Sequence, residues 1–105
     1  MRTLLFAAAV ALAGIGPAQA EEHVVGQKDK AFTVAAIEAK VGDEVLFRND
    51  DGVFHSIFTL SEAQPFDLGA YGPGVSKKVK LAKAGKIEVE CAIHPRMKMI
   101  IDVKK

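Results

Sequence analysis

Cys91-Ala92-Ile93-His94-Pro95-Arg96-Met97 is the stretch that decides the fold. Cys91 is the single cysteine, so no disulfide can close within one chain. A histidine and then a methionine follow it within the same short segment. Thiolate, imidazole and thioether, joined by one more imidazole from elsewhere, form the donor set of a trigonal copper site with a weak axial thioether. Other cofactor patterns fail here. There is no C-x-x-C-H for haem attachment and no second cysteine for a zinc ribbon or a redox dithiol.

The sequence on both sides reads as β. Before the stretch, Lys86-Ile87-Glu88-Val89-Glu90-Cys91 alternates, which places Ile87, Val89 and Cys91 on one inner face. After it, Met99, Ile101 and Val103 share a parity opposite Lys98, Asp102 and Lys104. The segment is therefore a tight loop between two strands at one end of a sandwich, where three donors can converge. Met99 competes with Met97 as the thioether, but its parity assigns it to the core.

Working outward, Val24-Val25, Phe32 to Val34 with a continuation over Ile37 to Lys40, Val45 to Phe47, Val53 to Leu60, Phe66 to Leu68 and the partly alternating Val75 to Ala82 read as strands. Asn49-Asp50-Asp51-Gly52, Gly69 to Gly74 and Ala84-Gly85 read as turns or loops. Ser61 to Gln64 is the one candidate for a helical turn, stopped by Pro65. The expected architecture is all-β and antiparallel, a Greek-key β-sandwich or a barrel of about seven or eight short strands. His55 opens the Val53 to Leu60 strand directly after a turn, and is the natural remote imidazole.

The first residues read as an address. Met1-Arg2-Thr3 is a short positive region, Leu4 to Ala13 an apolar run, and Ala18-Gln19-Ala20 a small-x-small cleavage pattern. A secretory signal peptide over 1–20 leaves one domain, 21–105, with no further apolar stretch long enough to span a bilayer. A domain this small has a thin core and gains from a staple such as a metal. In an oxidising compartment a lone thiol also needs protection, which ligation gives.

The chain holds 14 Lys and Arg against 13 Asp and Glu, a balance that argues against nucleic acid. Lys77, Lys78, Lys80, Lys83 and Lys86 crowd one segment, and Asp43, Glu44, Asp50 and Asp51 another. Both read as solvated faces and turns, with a docking surface for a charged redox partner as the alternative. Cleavage after Ala20 also creates Glu21-Glu22-His23, a terminus able to wrap Cu(II) or Ni(II) in a square plane unless it simply frays.

Cys91, His94 and Met97 in this spacing, with His55 upstream in Asn49-Asp50-Asp51-Gly52-Val53-Phe54-His55, resemble the cupredoxins, and the loop is similar to that of the amicyanin-type members. Lys40-Val41-Gly42-Asp43 and the glycine-rich turn before the lysine strand extend the likeness over most of residues 22–105. The resemblance implies one type 1 copper per chain and one-electron transfer in the periplasm, with no catalysis. It implies His55, Cys91 and His94 as strong trigonal ligands and Met97 as the weak axial one. It further implies a monomer that docks transiently around His94 with a dehydrogenase donor and a cytochrome c-type acceptor. An apolar patch from Pro95, Val53, Phe54, Tyr71 and Pro73 is expected there, interrupted by Arg96. The family usually places asparagine after the first histidine; Ser56 stands there and shortens the tie between the ligand segments. The alternative function is a periplasmic copper carrier that hands the ion on. A Cys91 nucleophile with a histidine base finds no obvious cleft in so small a chain.

Overall fold

The computed structural model describes residues 19–105. The expected signal segment lies, up to residue 18, outside the described residues. The strands are β1 (Glu22–Lys28), β2 (Ala31–Phe32), β3 (Ala36–Lys40), β4 (Glu44–Asn49), β5 (His55–Thr59), β6 (Phe66–Tyr71), β7 (Ser76–Lys80), β8 (Gly85–Cys91) and β9 (Lys98–Lys104). They form a four-stranded sheet, β2-β1-β4-β7, and a five-stranded sheet, β3-β9-β8-β5-β6. The two inner faces pack together as an all-β sandwich.

The sheets are mixed rather than purely antiparallel. β1 pairs β4 in parallel, and β3 pairs β9 in parallel. Parallel neighbours need a crossover between them, and the chain supplies one by changing sheets. From Phe32, paired with Gln27 in the first sheet, it reaches Ala36, paired with Ile100 in the second. The Phe32 to Lys40 run is thus two strands, which brings the total among the described residues to nine. Thr33 fixes the crossing: its amide donates to Gly26 O and its hydroxyl accepts from Gly26 N, both at 2.9 Å.

The alternating segments behave as written. Ile87, Val89 and Cys91 of β8 and Met99, Ile101 and Val103 of β9 are all buried, and join Val25, Val45, Phe47, Ile57 and Leu81 in one core. Burying each such side chain contributes roughly 1.5–3 kcal/mol. Two local expectations change. Ser61 to Gln64 closes one turn through a single Gln64 N to Ser61 O bond of 3.2 Å and builds no helix. The expected Gly69 to Gly74 loop begins late, because β6 runs on through Tyr71 and pairs it with His55. A bulge makes this possible. The register slips between Ser56 and Phe58, and Gly69 absorbs the extra residue at φ 71°, a left-handed conformation that favours glycine.

Candidate metal centre

β5 and β8 bring the first two donors together. Ile57 pairs with Cys91, and His55, two positions back on the same face of β5, lies beside the thiol. Both are buried, at 0% and 2% exposure. The loop after β8 then returns His94, half-buried, to the same point. Cys91 Sγ is 3.7 Å from His55 Nδ1 and 3.7 Å from His94 Nδ1. The two Nδ1 atoms are 3.2 Å apart.

These separations fit one ion. Bonds of about 2.0–2.1 Å to nitrogen and about 2.3 Å to sulfur, spread in a trigonal plane, place donors about 3.5 Å and about 3.8 Å apart. One soft sulfur with two imidazoles suits copper. Among the described residues, His55, Cys91 and His94 form the group of His, Cys, Asp or Glu able to hold a metal. Met97 is buried at 2% in the same loop, and its amide donates to His94 O at 2.9 Å, closing the return. Met99, buried at 1%, pairs with Val89 within the core of β9, as its parity predicts.

A carboxylate stands behind the first histidine. His55 Nε2 is 2.9 Å from Asp51 Oδ2, so a proton on Nε2 leaves Nδ1 as the free donor toward Cys91 and His94. Asp51 also accepts from Lys30 N at 2.8 Å and Gly52 N at 3.0 Å. The Lys30 amide first, then the His55 ring, hold its carboxyl near 2, below the ordinary 3.8. Asn49, fully buried, fixes the segment: its side chain accepts from Asp51 N at 2.8 Å and donates to Val53 O and Tyr71 O at 2.9 and 3.1 Å.

Ser56 ties the ligand segments through its main chain. Its amide donates to Cys91 Sγ at 3.4 Å, and its carbonyl accepts from Ala92 N at 2.8 Å. The side chain that shortens the expected tie is not needed for it. Burial, then the positive fields of His55 and Lys30, lower the pKa of His94 below its ordinary value, and Asp51 opposes them.

Asp51, Asn49 and Lys30 were not singled out as site residues by sequence. The available signal was an aspartate four positions before the histidine, inside a turn-forming Asn-Asp-Asp-Gly. Tyr71 is a correction: it is buried at 3% and its hydroxyl donates to Gln27 Oε1 at 3.0 Å, so it leaves the surface patch. Burial of that phenol raises its pKa. Val53, Phe54 and Ile93 are exposed, as are Pro73 and Pro95. Glu21 to His23 is tied into the first sheet, with Glu21 N and His23 Nε2 both bonded to Asp43 at 3.0 and 2.9 Å. Wrapping an ion there would break those bonds. The lysine segment matches the solvated reading where Lys78 meets Glu22 across the sheet face at 3.0 Å.

A two-sheet sandwich with His–Cys–His donors gathered at one end is a cupredoxin, and the chain belongs to that family. Among relatives it is similar to methylamine utilization protein MauL of Methylorubrum extorquens AM1, 32% identical over 98% of this chain and 92% of the relative. Among solved structures it is similar to a copper-containing nitrite reductase, NirK, of Thermus scotoductus SA-01 (TM-score 0.76, 26% identity, 90% of this chain), but spans only 26% of that enzyme. An amicyanin variant in its Cu(I) form superposes with a TM-score of 0.73 at 18% identity, over 88% of this chain and 89% of that one. No protein-family model matches the chain. No helix among the described residues is long and apolar enough to cross a membrane.

Proposed function

We propose that the chain is a periplasmic blue-copper electron carrier, exported by a signal peptide cleaved after Ala20, acting as a monomer with no substrate of its own. The observation that carries this reading is the convergence of Cys91 Sγ and the two Nδ1 atoms within 3.7 Å, with one imidazole buried and the other reaching the surface. His55, Cys91 and His94 would hold the copper, with Met97 as the axial thioether. The bound ion supplies a one-electron Cu(II)/Cu(I) couple.

The protein does the rest. Asp51 fixes the tautomer and direction of His55, and the Ser56 amide points its partially positive hydrogen at Cys91 Sγ. The buried strands β5 and β8 keep two donors in place whichever charge state the site has. His94 gives the electron its way in from a dehydrogenase donor and its way out to a cytochrome c-type acceptor. The name of the MauL relative supports a role in methylamine utilization.

The test is a visible spectrum after adding Cu(II) to the protein and to Cys91→Ala. An intense band at about 600 nm, bleached by ascorbate and absent from the variant, is the expected result. Copper held without the band, and equally by Cys91→Ala, would end the electron-carrier reading in favour of a copper carrier.

A further inference from the structure

The β1–β2 hairpin turns through Asp29 and Lys30, both left-handed at φ 53° and 57°. Such a turn favours asparagine and glycine, so a lysine there needs an anchor. The anchor is its own amide, which donates to Asp51 Oδ2 at 2.8 Å. The turn is thereby fastened to the carboxylate beneath His55, and Lys30 starts from a fixed backbone rather than a loose loop.

Asp29 and Lys30 line an open cleft of about 450 Å³ together with Ile93, His94, Pro95 and Arg96. Two cations thus flank His94, one on the hairpin and one on the ligand loop, against Asp29 in the same lining and the mostly buried Asp51 behind it. Among the described residues, neither Lys30 nor Arg96 makes a salt bridge.

Granted the electron-carrier reading above, we propose that this cleft is a docking notch for a redox partner protein that presents a carboxylate beside its own electron port, seated between Lys30 and Arg96. Any partner that covers the His94 ring also covers these two cations. Covering them without an anion removes two charges from water with nothing in return. A carboxylate reverses that, since Arg96 can meet it with a two-pronged bond and Lys30 with a point charge. Phe54 and Ile93, 58% and 48% exposed at the same end, supply apolar contact around the charged centre. Asp29 leaves the notch with a small net positive charge, which suits partner choice and quick release rather than tight holding.

The test uses the copper-loaded chain, reduced and mixed in a stopped-flow instrument with an acidic or a basic c-type cytochrome as oxidant. Lys30→Glu, Arg96→Glu and their double variant are compared with Lys83→Glu/Lys86→Glu. The last makes the same change of net charge at the far end, because β8 carries the chain about 17 Å from Lys86 to Cys91. At low salt the double variant should lose about tenfold or more in rate with the acidic cytochrome and gain with the basic one. Lys30→Glu alone, which leaves the ligand loop untouched, should show part of that loss. The wild-type rate with the acidic cytochrome should fall as salt rises. An intact blue band with unchanged rates in Lys30→Glu and the double variant, or an equal loss in the far-end control, overturns the notch alone. No blue band in the wild type overturns the electron-carrier reading and the notch with it.

Discussion

Two histidine–aspartate pairs stand at opposite ends of the sandwich and are nearly the same in local geometry. His55 Nε2 meets Asp51 Oδ2, and His23 Nε2 meets Asp43 Oδ2, each at 2.9 Å. Each carboxylate also takes backbone amides, and each has its pKa lowered to about 2. The difference lies across the ring. His55 turns its other nitrogen to a cysteine and a second histidine. His23 belongs to no such cluster among the described residues, and its carboxylate instead gathers Glu21 and Lys40 amides to fasten β1 to the β3–β4 turn. A carboxylate behind an imidazole makes a well-held ring. Only the company on the far side makes it a candidate ligand.

The largest effect that separates the ends is loss of the site. His55→Ala should abolish the blue band in a copper titration, while His23→Ala should keep it at full intensity. Equal loss in both would show that the far pair supports the centre through the fold. Next comes Asp51→Asn, which keeps the size of the side chain but weakens its hold on the His55 proton. Copper affinity should fall about 10–100-fold, the usual consequence of losing such a partner. Asp43→Asn should leave the affinity unchanged, measured by competition with a chelator.

The donor cluster was legible in the sequence because each of its members sits where a simple pattern ends. Cys91 closes a clean alternation, His94 follows in a short return loop, and His55 begins a strand after a turn. The carboxylates were not legible. Asp43 and Asp51 sit in acidic turns that read as solvated, and Asp50 and Glu44 beside them are largely that. What distinguishes Asp51 is an amide from Lys30, 21 residues away, and turn composition carries no trace of it. Tyr71 was hidden by another route. The Gly69 bulge shifts its register, so a residue read as part of a surface loop faces the interior opposite His55. The parallel pairings escaped for a similar reason, since alternation tells which face is buried but not which sheet a strand joins.

The far pair should be visible in acid. The Asp43 carboxyl is lowered from 3.8 to about 2, chiefly by the Glu21 amide, then by His23 and the Lys40 amide. A lowered carboxyl stabilises the fold fully above its unfolded pKa and stops doing so as pH falls through its folded one. The melting temperature of copper-free wild type should therefore drop between about pH 4 and pH 2. Asp43→Asn should melt lower at neutral pH and lose part of that slope. Asp51, shifted the same way, should account for a further part, so the Asp43→Asn/Asp51→Asn double variant should be flatter still. A full wild-type slope in the double variant would mean that other carboxyls drive acid unfolding.

The smallest effect belongs to Tyr71, which lies at the metal end beside His55. Tyr71 joins the two sheets, its hydroxyl on Gln27 Oε1 at 3.0 Å, while Gln27 Nε2 donates to Val25 O at 3.2 Å. Tyr71→Phe keeps the packing but leaves that buried oxygen without a donor, which costs about 1–3 kcal/mol. Urea unfolding should show this as a lower midpoint with the same slope. Phenylalanine keeps the main-chain pairing of Tyr71 with His55 and removes only a neutral hydroxyl, so the blue band should stay and the reduction potential should move little, although the field of Cys91 reaches the phenol and helps to raise its pKa. A potential shifted as far in Tyr71→Phe as in Asp51→Asn would show that the hydroxyl dipole acts on the centre as strongly as the carboxylate behind His55.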